Sequence, residues 1–422
     1  MGKGGRPGPP SALGAIAIYY RGLVHALGGG SLGSLRSAVQ RGPIGTGLEP
    51  SPRAALQIYQ LALAVRLWSQ PHYRSGTFRQ DLRKNLRNVA IPGTGVALSV
   101  LSLSRAVAVA FLLVAYPLIA AVAAVVRVRH GDAPDGWAAA FAEQLLEPDD
   151  WFFKWRLNCV LASYHALVTN EPGYAMEDKL TFLEAAEAAG VAASPWLKLP
   201  AKLIVKHRNE EGGLGIAVYS NACVGGDWII QECLDNHADL AALLPGNAPL
   251  STLRLVTASR ACMREGAAAA ASDISVLSCC WRAGRAGAAT DHSSVLFDVD
   301  LASGEIGKGT SSAHWYQLGP AKAWKCPRIS TGHTETHHPD SGVRVTGASI
   351  PKMTEVRQLV VDAHLKMMPN VLLAGWDVAI TPGGLYLLEA NLSCNFFRAS
   401  LDRQQYYSFV GEAIGWLERK MP

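Results

Sequence analysis

The stretch from Ala106 to Val126, AVAVAFLLVAYPLIAAVAAVV, contains 21 residues and no charge. At about 1.5 Å per residue, a helix of that length matches a hydrocarbon core of roughly 30 Å. Wherever the chain goes, this segment has to leave water. Arg105 precedes it, and Arg127 and Arg129 follow. Pro117 falls near its middle, which a membrane helix tolerates. The expectation is a transmembrane or re-entrant anchor over 93–130, with a buried helix on a soluble body as the alternative. Basic residues on both sides leave its orientation open.

Charge divides the chain at the same place. Residues 1–131 hold 15 Lys and Arg against two acids, Glu49 and Asp81, whereas 132–422 hold 24 basic and 32 acidic residues. A basic front and an acidic body fit a membrane-adjacent or targeting segment ahead of a soluble domain. A nucleic-acid binder spreads positive charge over its folded body, so no nucleic-acid partner is expected. Residues 1–50, rich in Gly, Ser, Pro and Arg, read as a disordered or transit-like tail that could direct the chain to an organelle. Residues 51–92 read as a basic amphipathic helical segment suited to an anionic lipid surface, with apolar Leu56, Tyr59, Leu63 and Leu67 ahead of Arg79, Arg83, Lys84 and Arg87. Eight scattered cysteines with no C-x-x-C pair imply reduced thiols and a reducing compartment for the body.

From 131 to 422 the pattern mixes helix and strand in an irregular order, which points to an α+β domain. Strands are expected at Leu203–His207, Gly215–Ser220, Trp228–Cys233, Thr252–Ser259, Ser275–Arg282 and Val295–Leu301, and helices at Met176–Gly190, Glu355–Met368 and Asp402–Lys420.

The strongest chemical signal is Gly375-Trp-Asp-Val-Ala-Ile-Thr-Pro-Gly-Gly-Leu-Tyr-Leu-Leu-Glu-Ala-Asn391. Two apolar strands flank Pro382-Gly383-Gly384. A three-residue loop would set Asp377 opposite Glu389, with Asn391 on the same face. A two-residue loop would shift the register by one and part the two acids. Two carboxylates and an amide oxygen among apolar neighbours are costly without a cation, and hard oxygen ligands suit Mg²⁺ or Mn²⁺. Upstream, Leu203-Ile-Val-Lys206 is an apolar strand ending in Lys, followed by the glycine run Gly212, Gly213 and Gly215. Such a Lys can neutralise phosphate oxygens while backbone N–H groups close over them. Asp227-Trp-Ile-Ile-Gln231-Glu232-Cys-Leu234 reads as a strand with a polar exit, able to bond an adenine. No P-loop is present: Ala302 stands where the first glycine before Gly307-Lys308 is needed.

Strand Lys, glycine loop, polar-exit strand and a closing Asp-x11-Glu-x-Asn resemble, in this order, the ATP-grasp superfamily. Ser251-Thr-Leu-Arg254, Trp281-Arg282-Ala-Gly-Arg-Ala-Gly…Asp291 and His338-Pro-Asp-Ser-Gly342 are similar to its sugar-transfer-associated branch, related to alpha-L-glutamate ligases. The resemblance runs from about Asp178-Lys179 to Asn391. It implies an ATP-grasp fold in which two α/β subdomains grip ATP between antiparallel sheets. Lys206 would contact the α/β-phosphates, the Gly212–Gly215 loop would cover them, and Gln231, Glu232 and Leu234 would form the adenine hinge. Arg254 and Arg282 would stabilise transferring charge, and Asp377, Glu389 and Asn391 would hold Mg²⁺ or Mn²⁺. The implied reaction is ATP-dependent ligation of a small-molecule carboxylate to an amine. Phosphoryl transfer to a sugar precursor and a non-catalytic nucleotide-binding membrane scaffold are the alternatives. The lead-in to Lys206 is short, so either Lys198 or Lys202 serves as the second lysine or that contact is missing; His292 replaces the frequent Asn after the acid at 291. His333 and His337 have zinc-compatible spacing, with a substrate loop as the competing reading.

Overall fold

The computed structural model describes residues 11–40, 50–86, 98–129, 131, 133–148, 151–210, 214–264, 266–291, 294–310, 334–394 and 401–420. Helices come first: α1 (Ala12–Leu27), α2 (Leu32–Gln40), α3 (Pro52–Arg66), α4 (Phe78–Leu86), α5 (Arg105–Arg129), α6 (Gly136–Leu146), α7 (Trp151–Thr169) and α8 (Lys179–Ala188). Two antiparallel sheets follow. The small one pairs β1 (Lys202–Lys206) with β2 (Ile216–Ser220). The large one contains β3 (Thr252–Ser259), β4 (Ile274–Gly284), β5 (Ser294–Val299), β6 (Ile306–Thr310), β7 (Thr334–Glu335), β8 (Leu373–Thr381) and β9 (Gly384–Asn391), in the order β7-β6-β5-β4-β3-β8-β9. Helix α9 (Met353–Met367) covers one face of that sheet, and α10 (Arg403–Lys420) joins the helical end. The fold is α+β, as expected.

The amino-terminal region departs from its composition-based reading. Residues 12–27 form a helix whose buried positions are Ala15, Ile18, Tyr19, Gly22, Leu23 and Ala26. That spacing is a helical stripe hidden by a Gly-, Ser- and Arg-rich context. The segment expected to lie on lipid begins with α3, a central helix buried nearly all round, including Gln57 and Gln60, and its basic cluster falls partly on the separate helix α4. Helices α1, α3, α6, α7 and α10 share one apolar core with the ends of β3 and β8.

Helix α5 has a local defect with a matching partner. Pro117 has no N–H for the carbonyl of Leu113, and the Tyr116 N–H bonds Phe111 O across a π-helical turn, bypassing Leu112. The Tyr19 hydroxyl donates to Leu112 O (2.8 Å), and the Tyr20 hydroxyl to Leu113 O (2.6 Å). Two adjacent tyrosines of α1 thereby satisfy the carbonyls that the proline and the wide turn release.

Between α9 and the large sheet, His364 is fully buried. Its Nε2–H donates to Val371 O (2.9 Å), so Nδ1 accepts the Thr257 hydroxyl (2.7 Å), whose oxygen accepts Trp376 Nε1–H (2.8 Å). Every ring nitrogen is satisfied only while the imidazole is neutral. Burial pushes the pKa of His364 from 6.5 down to about 4, and that of His165, on α7, down to about 4 as well. Both folded values lie below the unfolded one. Between pH 6.5 and 4 the unfolded chain therefore binds protons that the folded chain does not, and stability falls as pH drops through that window. Each site contributes at most about 3 kcal/mol to the fall. Urea midpoints measured from pH 7.5 to 4.5 should hold steady above 6.5 and decline below it, and His364→Gln should flatten the decline. Midpoints that stay level down to pH 5 would show that both sites accept the imidazolium form.

Candidate functional site

The site lies on the face of the large sheet opposite α9. Leu253, Leu255, Trp281, Trp376 and Val378 point into the core under α9. Alternate residues of the same strands therefore point the other way. Cys280, Arg254, Asp377 and Glu389 are direct cross-strand partners, one on each of β4, β3, β8 and β9. They form a single row across four strands. Thr252 and Arg282 are partners in the next row.

The register that builds this row differs from the expected one. The β8–β9 turn has two residues, because Thr381 pairs with Gly384, and the same register continues through Val378↔Leu387. Left alone, it would have put Asp377 and Glu389 on opposite faces. Leu388 is instead a bulged residue, and pairing resumes as Asp377↔Glu389, Trp376↔Ala390 and Gly375↔Asn391. One extra residue restores the face. Thr381 fixes the turn by accepting the Gly383 N–H (3.1 Å) and donating to Gly384 O (3.0 Å). Gly375 makes room for Cys394: a Cβ there would meet Cys394 Cβ at 2.5 Å.

Asp377 is buried between two guanidinium groups. Arg254 Nε bonds its Oδ1, and Arg282 Nη2 lies 2.7 Å from its Oδ2. Arg282 also reaches Thr252 Oγ1 through Nε (2.8 Å) and Asp291 Oδ2 through Nη2 (3.0 Å), while the Thr252 hydroxyl bonds Asp291. Burial alone would raise the pKa of Asp377, but Arg254 and Arg282 outweigh it and hold the value at about 2. Asp291 has the same cations farther off, and burial pushes its carboxyl up.

Glu389 and Asn391 occupy the rim. Asn391 Nδ2 donates to Glu389 Oε1 (3.1 Å), and Lys179 Nζ sits 2.7 Å from Glu389 Oε2. Among the described residues no three His, Cys, Asp or Glu side chains gather as a metal centre. The oxygens that could be offered to a hard divalent ion are those of Asp377, Glu389 and Asn391, of which both Asp377 oxygens already accept from Arg254 and Arg282.

The nucleotide residues are more spread out. Lys206 ends β1 and is exposed, on the same strand face as Lys202, Ile204, Ile216 and Val218. Lys202 is therefore the lysine that shares a face with Lys206, while Lys198 pairs with Glu187. Gly215 has φ of +64°, and a Cβ there would meet His207 Cβ at 2.6 Å, so the β1–β2 turn requires glycine. Gly212 and Gly213 lie outside the described residues. The strand expected at Trp228–Cys233 is reduced to isolated bridges, Trp196↔Gln231 and Asn221↔Trp228, supported by Leu197 N–H to Ile230 O (2.8 Å) and Glu232 N–H to Pro195 O (3.0 Å). The short lead-in leaves no longer strand for it to pair with. Gln231 and Glu232 are exposed and Leu234 is half-buried. Residues Ala192–Ser194, which lead toward β1, bind the outer edge of β9 at Leu387.

His338 is fully buried, with Nε2 donating to Gly284 O (3.0 Å), so it serves the turn before Asp340. Asp340 in turn holds Arg285 through paired bonds of 2.6 Å. His337 is exposed, and His333 lies outside the described residues.

Sequence reasoning missed four residues that shape the rim. Glu177 Oε2 accepts the Leu392 N–H (2.8 Å), directly after Asn391, and its Oε1 accepts Arg74 Nη2 (2.5 Å). Tyr73 bonds the Ser393 hydroxyl (2.6 Å). Lys179, two residues past Glu177, reaches Glu389. Asp178-Lys179 already marked the start of the resemblance, whereas nothing in the pattern around Tyr73-Arg74 pointed to the site.

Residues 215–398 match the family described as sugar-transfer associated ATP-grasp. Among solved structures, the ATP-grasp ligase PsnB complexed with a minimal precursor aligns with 64% of this chain and 72% of its own, at 13% identity and a TM-score of 0.27. No curated protein matches the chain.

Arg254→Met takes one of the two cations from the buried Asp377 and leaves it Arg282. It should therefore cost about 1.5–3 kcal/mol in urea unfolding at pH 7, the worth of a hydrogen bond to a charged group. The double variant Arg254→Met/Asp377→Leu should be no less stable than Arg254→Met alone. A double variant that loses both single costs in full would mean that the two side chains act independently.

Proposed function

We propose that this chain, which carries an ATP-grasp domain of the sugar-transfer associated type over residues 215–398, is an ATP-dependent ligase that joins a small-molecule carboxylate to an amine. The observation that carries this reading is the row Arg254, Asp377, Glu389 with Arg282, Asn391 and Lys179 around it. It combines fixed cationic donors with hard oxygen ligands on one sheet face, beside a small sheet that bears Lys202 and Lys206.

Lys206 and Lys202 would hold the phosphates, the Gly212–Gly215 turn would close over them, and Gln231, Glu232 and Leu234 would border the adenine. Asp377, Glu389 and Asn391 are the residues that would hold Mg²⁺ or Mn²⁺; such an ion, when bound, screens the charge of the triphosphate. In the reaction, a carboxylate oxygen bonds the γ-phosphorus as the bond to the β–γ bridging oxygen breaks, which gives an acyl phosphate and ADP. An amine nitrogen then bonds the acyl carbon, phosphate leaves with its bonding electrons, and the nitrogen gives up a proton. Arg254 and Arg282, preorganised by Asp377, supply positive charge where the transferring group would sit. Fixed donors of this kind need no reorganisation as charge develops. Asp291 orients Arg282. Helix α5, long and apolar enough to cross a membrane by length and composition, would hold the enzyme at a lipid surface.

A second reading has its own support. Every residue of β1 is exposed and the adenine border is not a continuous strand, which suits a weak nucleotide grip and a non-catalytic scaffold. ADP release separates the two. The full-length protein, given Mg·ATP with mixed pools of small carboxylates and amines, should release ADP, and Glu389→Ala should lower the rate by at least about a hundredfold. Equal background hydrolysis by both proteins with every pool would remove the ligase reading in favour of the scaffold.

A further inference from the structure

We infer that α5 lies flat in one leaflet of an anionic membrane, with both of its ends on the same side, and does not cross it. This rests on the membrane reading proposed above. The two long sides of the helix differ. Leu112, Tyr116, Ala120 and Ala124, four residues apart, are buried against the helical body. Val114, Leu118 and Val122 on the opposite side are 59%, 62% and 63% exposed, and the same side continues through Val107, Val125 and Val128. The apolar face runs almost the whole length of the helix, and its attachment runs from Leu112 to Arg127.

That attachment decides between crossing and lying flat. Tyr19 and Tyr20 bond the carbonyls of Leu112 and Leu113, and the Tyr116 hydroxyl bonds Leu145 O (3.0 Å). These contacts sit at the middle of the helix, the part a crossing would place near the bilayer centre. Two residues beyond Leu145, Glu147 pairs with Arg53 on α3 (3.7 Å). Arg127, near the far end, pairs with Glu143 of α6 (2.7 Å). A crossing would drag the parts of α1 and α6 bonded at mid-helix, with the Arg53–Glu147 pair close by, toward hydrocarbon, at several kcal/mol for each charge. Lying flat leaves them on the water side. The exposed valines and leucine enter the acyl boundary, and Arg105 and Arg129 reach the headgroups. Trp137, 40% exposed, lies beside the helix with Nε1 near Ala121 O (3.4 Å), where an indole can sit at the headgroup level. The excess of 15 basic over two acidic residues up to Gly131 makes the matching surface an anionic one.

The test uses the full-length protein with vesicles of phosphatidylcholine containing roughly one-third phosphatidylserine. Arg105→Cys and Arg129→Cys, made separately, are treated with a membrane-impermeant maleimide, and each labelled peptide is quantified by mass. Cys233, exposed on the body, is the reference for the outer side. Flat binding predicts that both positions label as fully as Cys233 in sealed vesicles. Labelling of one position only after detergent opens the vesicles would show a crossing helix and overturn the inference while leaving membrane association standing. Protein that does not sediment with the vesicles at all would overturn both. Leu118→Glu/Val122→Glu should weaken sedimentation at least about tenfold while leaving the urea midpoint unchanged, because those side chains touch lipid and not the body. Unchanged sedimentation by that variant would also count against the flat face.

Discussion

A carboxylate taken out of water has to find positive charge, and Asp377 finds it in Arg254 and Arg282. Much of the large sheet is arranged around that requirement. The two arginines are on neighbouring strands, so their side chains meet Asp377 only if β4, β3 and β8 keep the observed register. Slipping any strand by one residue would turn a buried charge into the apolar layer beneath α9. The ion triad therefore acts on register as well as on charge. Gly375, in the next row, lets the chain at Cys394 close against β8, where a Cβ would meet Cys394 Cβ at 2.5 Å.

The bulge at Leu388 gives the same logic a second form. A two-residue turn is tight and well tied by Thr381, yet its register alone would separate the two acids. The extra residue costs one unpaired position and brings Glu389 and Asn391 back beside Asp377. It also places them at the open end of the row, where Lys179 can reach Glu389 from the start of α8. Asp377 is thus a buried anchor, while Glu389 and Asn391 form an accessible rim. A cation bound here would meet one carboxylate already committed to arginines and one held by an exposed, displaceable ammonium.

The large sheet was legible in the sequence because its strands alternate cleanly and its acids fall at fixed offsets. Thr252–Ser259, Gly375–Ile380 and the closing helix were found within a residue or two, and the pairing of Asp377 with Glu389 was foreseen through the wrong turn. Bulges leave no mark on a pattern of apolar residues, so the correct pair came from compensating differences of loop and register. The strand at Trp228–Cys233 was lost for another reason. Its apolar residues promise a strand, but a strand needs a neighbour, and the lead-in before Lys206 supplies only Pro195–Leu197. The amino-terminal helices were hardest to read. Burial of Gln57 and Gln60 in α3 depends on elements hundreds of residues away, and a stripe such as Ile18, Tyr19, Leu23 is easily overlooked between glycines and arginines.

The link between those helices and the site follows from where β9 ends. Leu392 and Ser393 come directly after Asn391, and both are held by side chains: Glu177 takes the Leu392 N–H, and Tyr73 takes the Ser393 hydroxyl. Arg74 bonds Glu177 and Asp81 together, which ties that clamp to α4. The loop carrying Tyr73 and Arg74 runs out of α3, which packs in one core with α1 and α6. These are the helices that hold α5. The rim residues Glu389 and Asn391 are thus two bonded layers from the apolar helix. The apolar helix α5 is built into the same core that, through the clamp of Tyr73, Arg74 and Glu177, holds the end of β9.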